Sequence, residues 1–297
     1  MLRLLLGGSG TGKTTYLLRK AEEASQQGKR VFFIVPEQYS FETEKAVTAF
    51  LAQGGEKIEA VSFSRLCNLI FREYGGLSGE TLDDSGRTML MSMALDQVRD
   101  HLSVYERQAG NTAFASKALS MLDEFKNSSL GPEEVEELSQ SLEGSPVGEK
   151  LSDLSLIYSA YEAMLERGRH DPRDDLMRAL SLVQDTDFFL GSVVILDAFF
   201  SFPKAELALI QCALQKAEEV SVSLCCDSLT GTGARAFDVC RDTARRLMRM
   251  AKESGCTVAP PVLLTELYRY EKATLGHVAA QCAYVPGERT GQNDGSV

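Results

Sequence analysis

Residues 1–21 read MLRLLLGGSGTGKTTYLLRKA. The apolar run Leu2–Leu6 ends at glycine and reads as a short, buried parallel strand. A helix is expected from Lys13 to Gln27. Between them, Gly7, Gly8, Ser9, Gly10, Thr11, Gly12, Lys13 and Thr14 fit the pattern G-x-x-x-x-G-K-[ST] at every position. The glycines let backbone N–H groups turn inward around a phosphate, and the helix start aims the positive end of its dipole at the same point. Lys13 would reach the β- and γ-phosphates, and Thr14 would hold Mg²⁺ through its hydroxyl. All eight residues are candidate ATP ligands. A flexible Gly/Ser turn is the competing reading, and the strand–loop–helix context weighs against it.

The strand–helix rhythm continues outward from this loop. Arg30–Val35 is a second strand, stopped by Pro36, and Ser40–Gln53 reads as a helix. Lys57–Phe63 is a third strand, followed by a helix over Ser64–Tyr74. From Asp83 to about Asp185 the pattern is helical throughout, with Gly/Ser/Pro breaks and no strand. The rhythm returns with strand Val193–Leu196, helix Pro203–Lys216, strand Glu219–Cys226 and helix Ala234–Glu253. The fold class is therefore α/β: a parallel sheet with helices on both faces, interrupted by an all-helical insertion. The expected domains are 1–77 plus 191–285 for the sheet and 78–190 for the insertion. Residues 286–297 are expected to form a disordered tail.

The chain of 297 residues has a net charge of −11, unevenly spread. Residues 78–190 hold 22 acidic and 10 basic side chains, whereas the remainder holds 20 and 21. The acidity sits in the helical insertion, and the flanks can still carry a local basic surface. No apolar run is long enough to span a bilayer and the N-terminus has no signal peptide, so no membrane and a cytoplasmic location are expected. Seven cysteines without a C-x-x-C pair read as reduced thiols, with no tightly bound metal.

A phosphate loop needs an acidic partner for magnesium, normally at the end of a neighbouring parallel strand. Asp197, after VVIL, is that candidate, and Asp227, after SVSLCCD, is the second. Asp197 is followed by Ala198, where an NTPase motor carries a water-orienting glutamate, so no catalytic residue is assigned and hydrolysis by this chain alone is expected to be weak.

The order of these segments resembles superfamily 1 DNA helicases, in which a RecA-like P-loop domain carries a helical insertion. The closer resemblance is to the B subunit of the bacterial AddAB/RexAB ATP-dependent helicase–nuclease. It rests on GGSGTGKT (7–14), VPEQYSFETE (35–44), VSFSRL (61–66), DLSLIYSAYEAML (153–165) and ILDAFFSFPKAE (195–206). In the last segment Ala198 replaces the family's usual glycine. The resemblance implies an ATP-binding, helicase-like N-terminal part of a longer protein that acts in double-strand-break repair and recombination. The implied partners are a motor/nuclease A subunit, in a heterodimer, and single-stranded or end-bound DNA. A nuclease with an iron–sulfur cluster would lie only in the missing C-terminal region.

Single-stranded DNA would cross the connections after strands two and three, where Gln38, Tyr39, Ser64 and Arg65 lie. Tyr39 and Phe63 are candidates to stack on bases. The competing reading places Phe63 in the core and Arg65 at a helix cap. Arg241, Arg245, Arg249 and Lys252 fall on one helical stripe, a solvated face or subunit contact before a phosphate-binding one. Two further functions remain open: a P-loop small-molecule kinase with a helical lid, and an interaction module stabilised by nucleotide.

Overall fold

The structure, a computed structural model, describes residues 1–39, 41, 45, 47, 58–76, 79–165, 169–230, 235–269 and 273–281. Most of the helix expected over 40–53 and the whole expected tail lie outside the described residues, as does Cys282. The chain falls into two compact units, one of residues 1–70, 182–202 and 206–297, the other of residues 71–181 with 203–205.

The first unit is built on six strands: β1 (Leu2–Gly7), β2 (Val31–Ile34), β3 (Ile58–Val61), β6 (Val193–Leu196), β7 (Glu219–Cys225) and β8 (Val262–Leu264). Their order is β3-β2-β6-β7-β1-β8 and every pair is parallel. LRLLLG, VFFI and VVIL are near-continuous apolar runs because parallel strands are covered on both faces. Helix α1 (Lys13–Gln26) buries Leu17, Ala21 and Ala24, spaced for one face, against Leu5, Phe33 and Ile195. Phe32 alternates to the opposite face, where it stacks with Phe188 at 4.9 Å between ring centroids. β8 escaped the sequence reading because a three-residue strand is too short to show a period.

Two helices of this unit begin close to their expected positions: α2 (Phe63–Tyr74), which runs on into the second unit, and α8 (Lys204–Lys216). α9 (Asp238–Glu253) starts later than expected, after a 3-10 turn over Arg235–Phe237. It buries Cys240, Ala244, Leu247 and Ala251 along one face. A last helix, α10 (Ala273–Gln281), was not foreseen.

The second unit packs α3 (Asp84–Val98), α4 (Thr112–Asn127), α5 (Pro132–Ser141), α6 (Pro146–Leu165) and α7 (Asp175–Gln184). Its largest core joins Leu90, Met91 and Leu95 of α3 with Ala118 and Leu122 of α4 and Ile157 and Tyr161 of α6. The helix starts are written in the sequence. Asp83 accepts from Gly86 N at 2.7 Å, Asn111 accepts from Ala113 N at 2.9 Å, and Glu134 accepts from Gly131 N at 2.8 Å. Contrary to the strandless expectation, β4 (Glu80–Thr81) pairs in parallel with β5 (Arg169–His170). Two-residue strands carry no alternation that a sequence could display.

A buried charge cluster holds the segment after β5. The Asp171 carboxylate, fully buried, pairs with Arg87 Nε at 2.9 Å and Lys126 Nζ at 3.3 Å, and accepts from Tyr161 Oη at 3.0 Å and Arg173 N at 2.9 Å. Burial alone would raise its pKa, but Lys126, the Arg173 N–H and Arg87 outweigh burial and hold it below the ordinary carboxylate range. Lys126 also reaches Asp174 at 2.6 Å. We expect Asp171→Asn to leave Arg87 and Lys126 undercompensated in the interior and to destabilise the fold by about 3 kcal/mol. Urea unfolding followed by circular dichroism measures it, and a loss under about 1 kcal/mol would show that the cluster is dispensable.

Candidate nucleotide-binding site

β1 delivers the chain to the loop at Gly7, and α1 leaves it at Lys13. Gly12 is the N-cap of α1 with φ of 84°, in the left-handed region where a side chain is strained, and it offers no side-chain acceptor to the first turn. Gly7 is required for another reason: a Cβ there would lie 2.5 Å from Thr11 Oγ1 and 2.6 Å from Leu264 O. The loop is thus a tight cradle at an uncapped helix start, which fits an anionic ligand.

Lys13 Nζ donates to Gly7 O at 2.9 Å and Gly8 O at 2.6 Å. Burial lowers its pKa below the ordinary lysine value, partly offset by Cys225 and Asp197. Thr14 Oγ1 donates to Asp197 Oδ2 at 2.7 Å, and Ser223 Oγ donates to the other carboxylate oxygen. Asp197 is 4% exposed and directly follows β6. β6 is not the neighbour of β1, as the sequence reading assumed: β7 lies between them and supplies Ser223. Adjacent hard oxygens on Thr14 and Asp197 suit Mg²⁺.

Asp227 does not join this group. It pairs with Arg241 at 2.9 Å, and Arg241 also holds Asp238 at 2.6 Å. Arg241 is 1% exposed, so it leaves the expected basic stripe, and only Arg245, Arg246, Arg249 and Lys252 stay on the surface of α9. Arg245 pairs with Asp242 at 2.8 Å.

Two residues near the loop were not foreseen. Tyr268 N donates to Gly10 O at 2.9 Å, and Arg269 Nη1 donates to Ser9 Oγ at 3.1 Å. The segment after β8 thereby brings a second cation to the loop. No motif in the sequence links positions 9 and 269, because the contact depends on β8 lying beside β1.

Gln38 and Tyr39 belong to a 3-10 turn after β2, and Ser64 and Arg65 to the start of α2; all four are exposed. Glu37 Oε1 accepts from Ser64 N at 3.2 Å and joins the two connections. Phe63 is corrected from a stacking candidate to a core residue: it is 5% exposed and packs edge-on against Phe199 at 5.7 Å. Phe200, between the buried Phe199 and Phe202, is 65% exposed. Burial first, and Glu37 second, pushes Glu206 up to about 7, which removes part of the negative charge there near neutrality.

Among the described residues, a mostly parallel six-stranded sheet with this glycine-rich cradle, accompanied by a helical second unit, defines an α/β protein with a candidate nucleoside-phosphate site. Residues 4–279 match the family described as ADDB, N-terminal, and the chain belongs to that family. It is 31% identical over 280 residues to the B subunit of the ATP-dependent helicase/deoxyribonuclease of Acetivibrio thermocellus, covering 92% of this chain and 24% of that protein. The corresponding B subunit of Clostridioides difficile is 30% identical over 282 residues, covering 91% and 24%. That of Desulforudis audaxviator is 32% identical over 273 residues, covering 89% and 23%. The chain spans about a quarter of the length of these relatives.

Ala198 has φ of 67°, in the left-handed region that favours glycine, the residue that the sequence resemblance implies here. Left-handed backbone costs an L-residue roughly 1–2 kcal/mol, and glycine's greater unfolded-state freedom returns part of that. Ala198→Gly is expected to stabilise the chain by about 0.5–1 kcal/mol, and Ala198→Val to destabilise it, in thermal and urea unfolding. Equal stability of all three would mean that the turn after Asp197 relaxes freely.

Proposed function

We propose that this chain is the ATP-binding, RecA-like part of a subunit of an ATP-dependent DNA helicase/exonuclease that acts in double-strand-break repair and recombination. The observation that carries the reading is the convergence of Lys13, Thr14 and Asp197 on one cradle. In this reading the loop N–H groups and Lys13 bind the β- and γ-phosphates, while Thr14 and Asp197 hold Mg²⁺. Bound Mg²⁺ would supply neutralisation of phosphate charge. Arg269 stands ready to add a second positive charge, since its guanidinium already reaches Ser9. The iron–sulfur cluster and nuclease belong, in this reading, to the further length present in the relatives. The protein works in the cytoplasm beside a motor/nuclease A subunit on broken DNA ends. No helix among the described residues is long and apolar enough to cross a membrane.

Ala198 offers no carboxylate to orient an attacking water, which supports little hydrolysis by the chain alone. Lys13→Ala removes a charge-assisted contact that contributes on the order of 1.5–3 kcal/mol. Titration with a fluorescent ATP analogue should therefore show at least tenfold weaker binding by the variant. Phosphate release by the unaltered chain should stay below about 1 s⁻¹, the low end of ordinary enzymes. Equal affinities would end the nucleotide-site reading, and fast turnover would end the reading of a weak hydrolase.

The exposed Gln38, Tyr39, Ser64 and Arg65, bridged through Glu37, support a small single-stranded DNA contact. With a net charge of −11 the chain has no long-range attraction for DNA. Binding should rest on few phosphates and show a shallow salt slope. Tyr39 would add roughly 1–3 kcal/mol by stacking, with little sequence preference. In anisotropy with a labelled single strand, Arg65→Ala and Tyr39→Ala should each weaken binding. If neither does, the DNA path runs elsewhere.

A further inference from the structure

The backbone leaves the sheet sharply after Asp197. Ala198 takes its positive φ there, and residues 198–202 lie in neither a helix nor a strand. Phe199 and Phe202 anchor this turn on one side. Their ring centroids lie 4.8 Å apart, and both rings pack on Phe63, at 5.7 and 6.5 Å. On the other side stands α9. The buried Thr243 hydroxyl lies 2.9 Å from Phe200 O and 2.9 Å from Val239 O, one turn back in its own helix. Among the described residues, the bond from Thr243 is the one hydrogen bond made to residues 198–201.

The helix does not require that bond. A threonine inside a helix ordinarily turns its hydroxyl to the carbonyl four residues earlier, and Val239 O fills that role. Phe200 O is a second acceptor, brought from outside the helix. α9 is also tied to the segment after β7: Arg241 pairs with Asp227 at 2.9 Å, and Arg245 Nη2 donates to Leu229 O at 3.3 Å. β7 itself carries Ser223, which donates to Asp197. One helix therefore braces the turn that follows the carboxylate and the strand that supports it. Mg²⁺ demands near-octahedral geometry at about 2.0–2.1 Å, so a carboxylate that ligates it needs a fixed backbone. Phosphate binding by the loop N–H groups and Lys13 makes no such demand on Asp197.

We propose that Thr243 is a positioning residue for the magnesium site: through Phe200 O it fixes the turn after Asp197 and holds that carboxylate where Mg²⁺ needs it. The proposal rests on the nucleotide-site reading. Thr243 touches neither metal nor nucleotide in this role and acts only through the turn. Thr243→Val keeps the shape of the side chain but removes the proton that Phe200 O accepts. The turn then relaxes from its unfavourable left-handed backbone at Ala198, and Asp197 shifts with it. The metal's share of nucleotide binding falls, whereas the share from Lys13 and the loop stays. Thr243→Ser retains the hydroxyl and with it the brace.

The test titrates a fluorescent ATP analogue into the native chain, once in EDTA and once in saturating Mg²⁺, and takes the ratio of the two affinities as the gain from the metal. We expect a gain of roughly tenfold or more in the unaltered chain. Thr243→Val should cut that gain by roughly tenfold, the low end of what losing a group that supports a metal ligand costs, with its affinity in EDTA unchanged. Thr243→Ser should restore the gain. A Thr243→Val chain that keeps the full gain overturns the proposal and leaves the nucleotide site standing. So does one that loses affinity equally with and without Mg²⁺, as a merely structural residue would, or a Thr243→Ser chain that restores nothing. If circular dichroism shows Thr243→Val unfolded, Thr243→Ala is measured in its place and judged by the same ratio. If the unaltered chain does not bind the analogue, or binds it with no gain from Mg²⁺, the nucleotide-site reading itself fails, and the role of Thr243 with it.

Discussion

The hydrogen bond from Thr14 Oγ1 to Asp197 Oδ2, 2.7 Å long, joins residues 183 positions apart. It forms only if the sheet is closed in one order. β6 must lie on the far side of β7 from β1, with its C-terminal end level with the glycine-rich loop. β7 then contributes Ser223 to the second carboxylate oxygen. Each parallel pairing in that order needs a long crossover, and the helical unit is accommodated within one of them. The sequence gap between Thr14 and Asp197 is therefore no obstacle to their meeting. A slip of one residue in β6 would turn Asp197 to the other face and empty the cradle of its carboxylate.

The two units solve burial differently. The sheet unit hides apolar strands under helices, and its buried charges Asp197 and Arg241 are each held by polar partners, Asp197 by Thr14 and Ser223 and Arg241 by Asp227 and Asp238. The helical unit has an apolar core of its own, yet it also seals the fully buried Asp171 carboxylate among Arg87, Lys126 and Tyr161. Such a cluster adds little net stability against an apolar alternative but is costly to break, so it fixes one arrangement of α3, α4 and α6 around the β5 segment. Residues 71–181 carry 21 acidic and 11 basic side chains, a net of −10. That surface repels polyanions.

Around the loop, charge is supplied from three directions. Lys13 comes from α1 itself, Arg269 from the segment after β8, and the negative partners from the ends of β6 and β7. The strand ends also bring Cys225 to the same corner. Side chains at the C-terminal ends of parallel strands converge because neighbouring strands stop together and their connections fan apart, the usual place for ligands in such sheets.

The sequence by itself determined the glycine-rich loop between a strand and a helix, the strands on either side of that helix and before Asp197, and the alternation of an α/β part with a helical part. These are local signals: glycine spacing, continuous apolar runs, caps and breaks, each readable within a short stretch of chain. The resemblance implied a glycine where Ala198 stands, and only the backbone shows why glycine would suit the place, with φ of 67°. The tertiary structure alone decided the rest. It set β7 between β6 and β1, withdrew Asp227 and Arg241 into a buried ion pair, sent Phe63 to the core, and brought Arg269 and Cys225 to the loop. Those outcomes depend on which strands lie side by side and on which residues are covered. Contacts between residues hundreds of positions apart leave no period or motif in a single chain, because burial and pairing are settled only when the sheet closes.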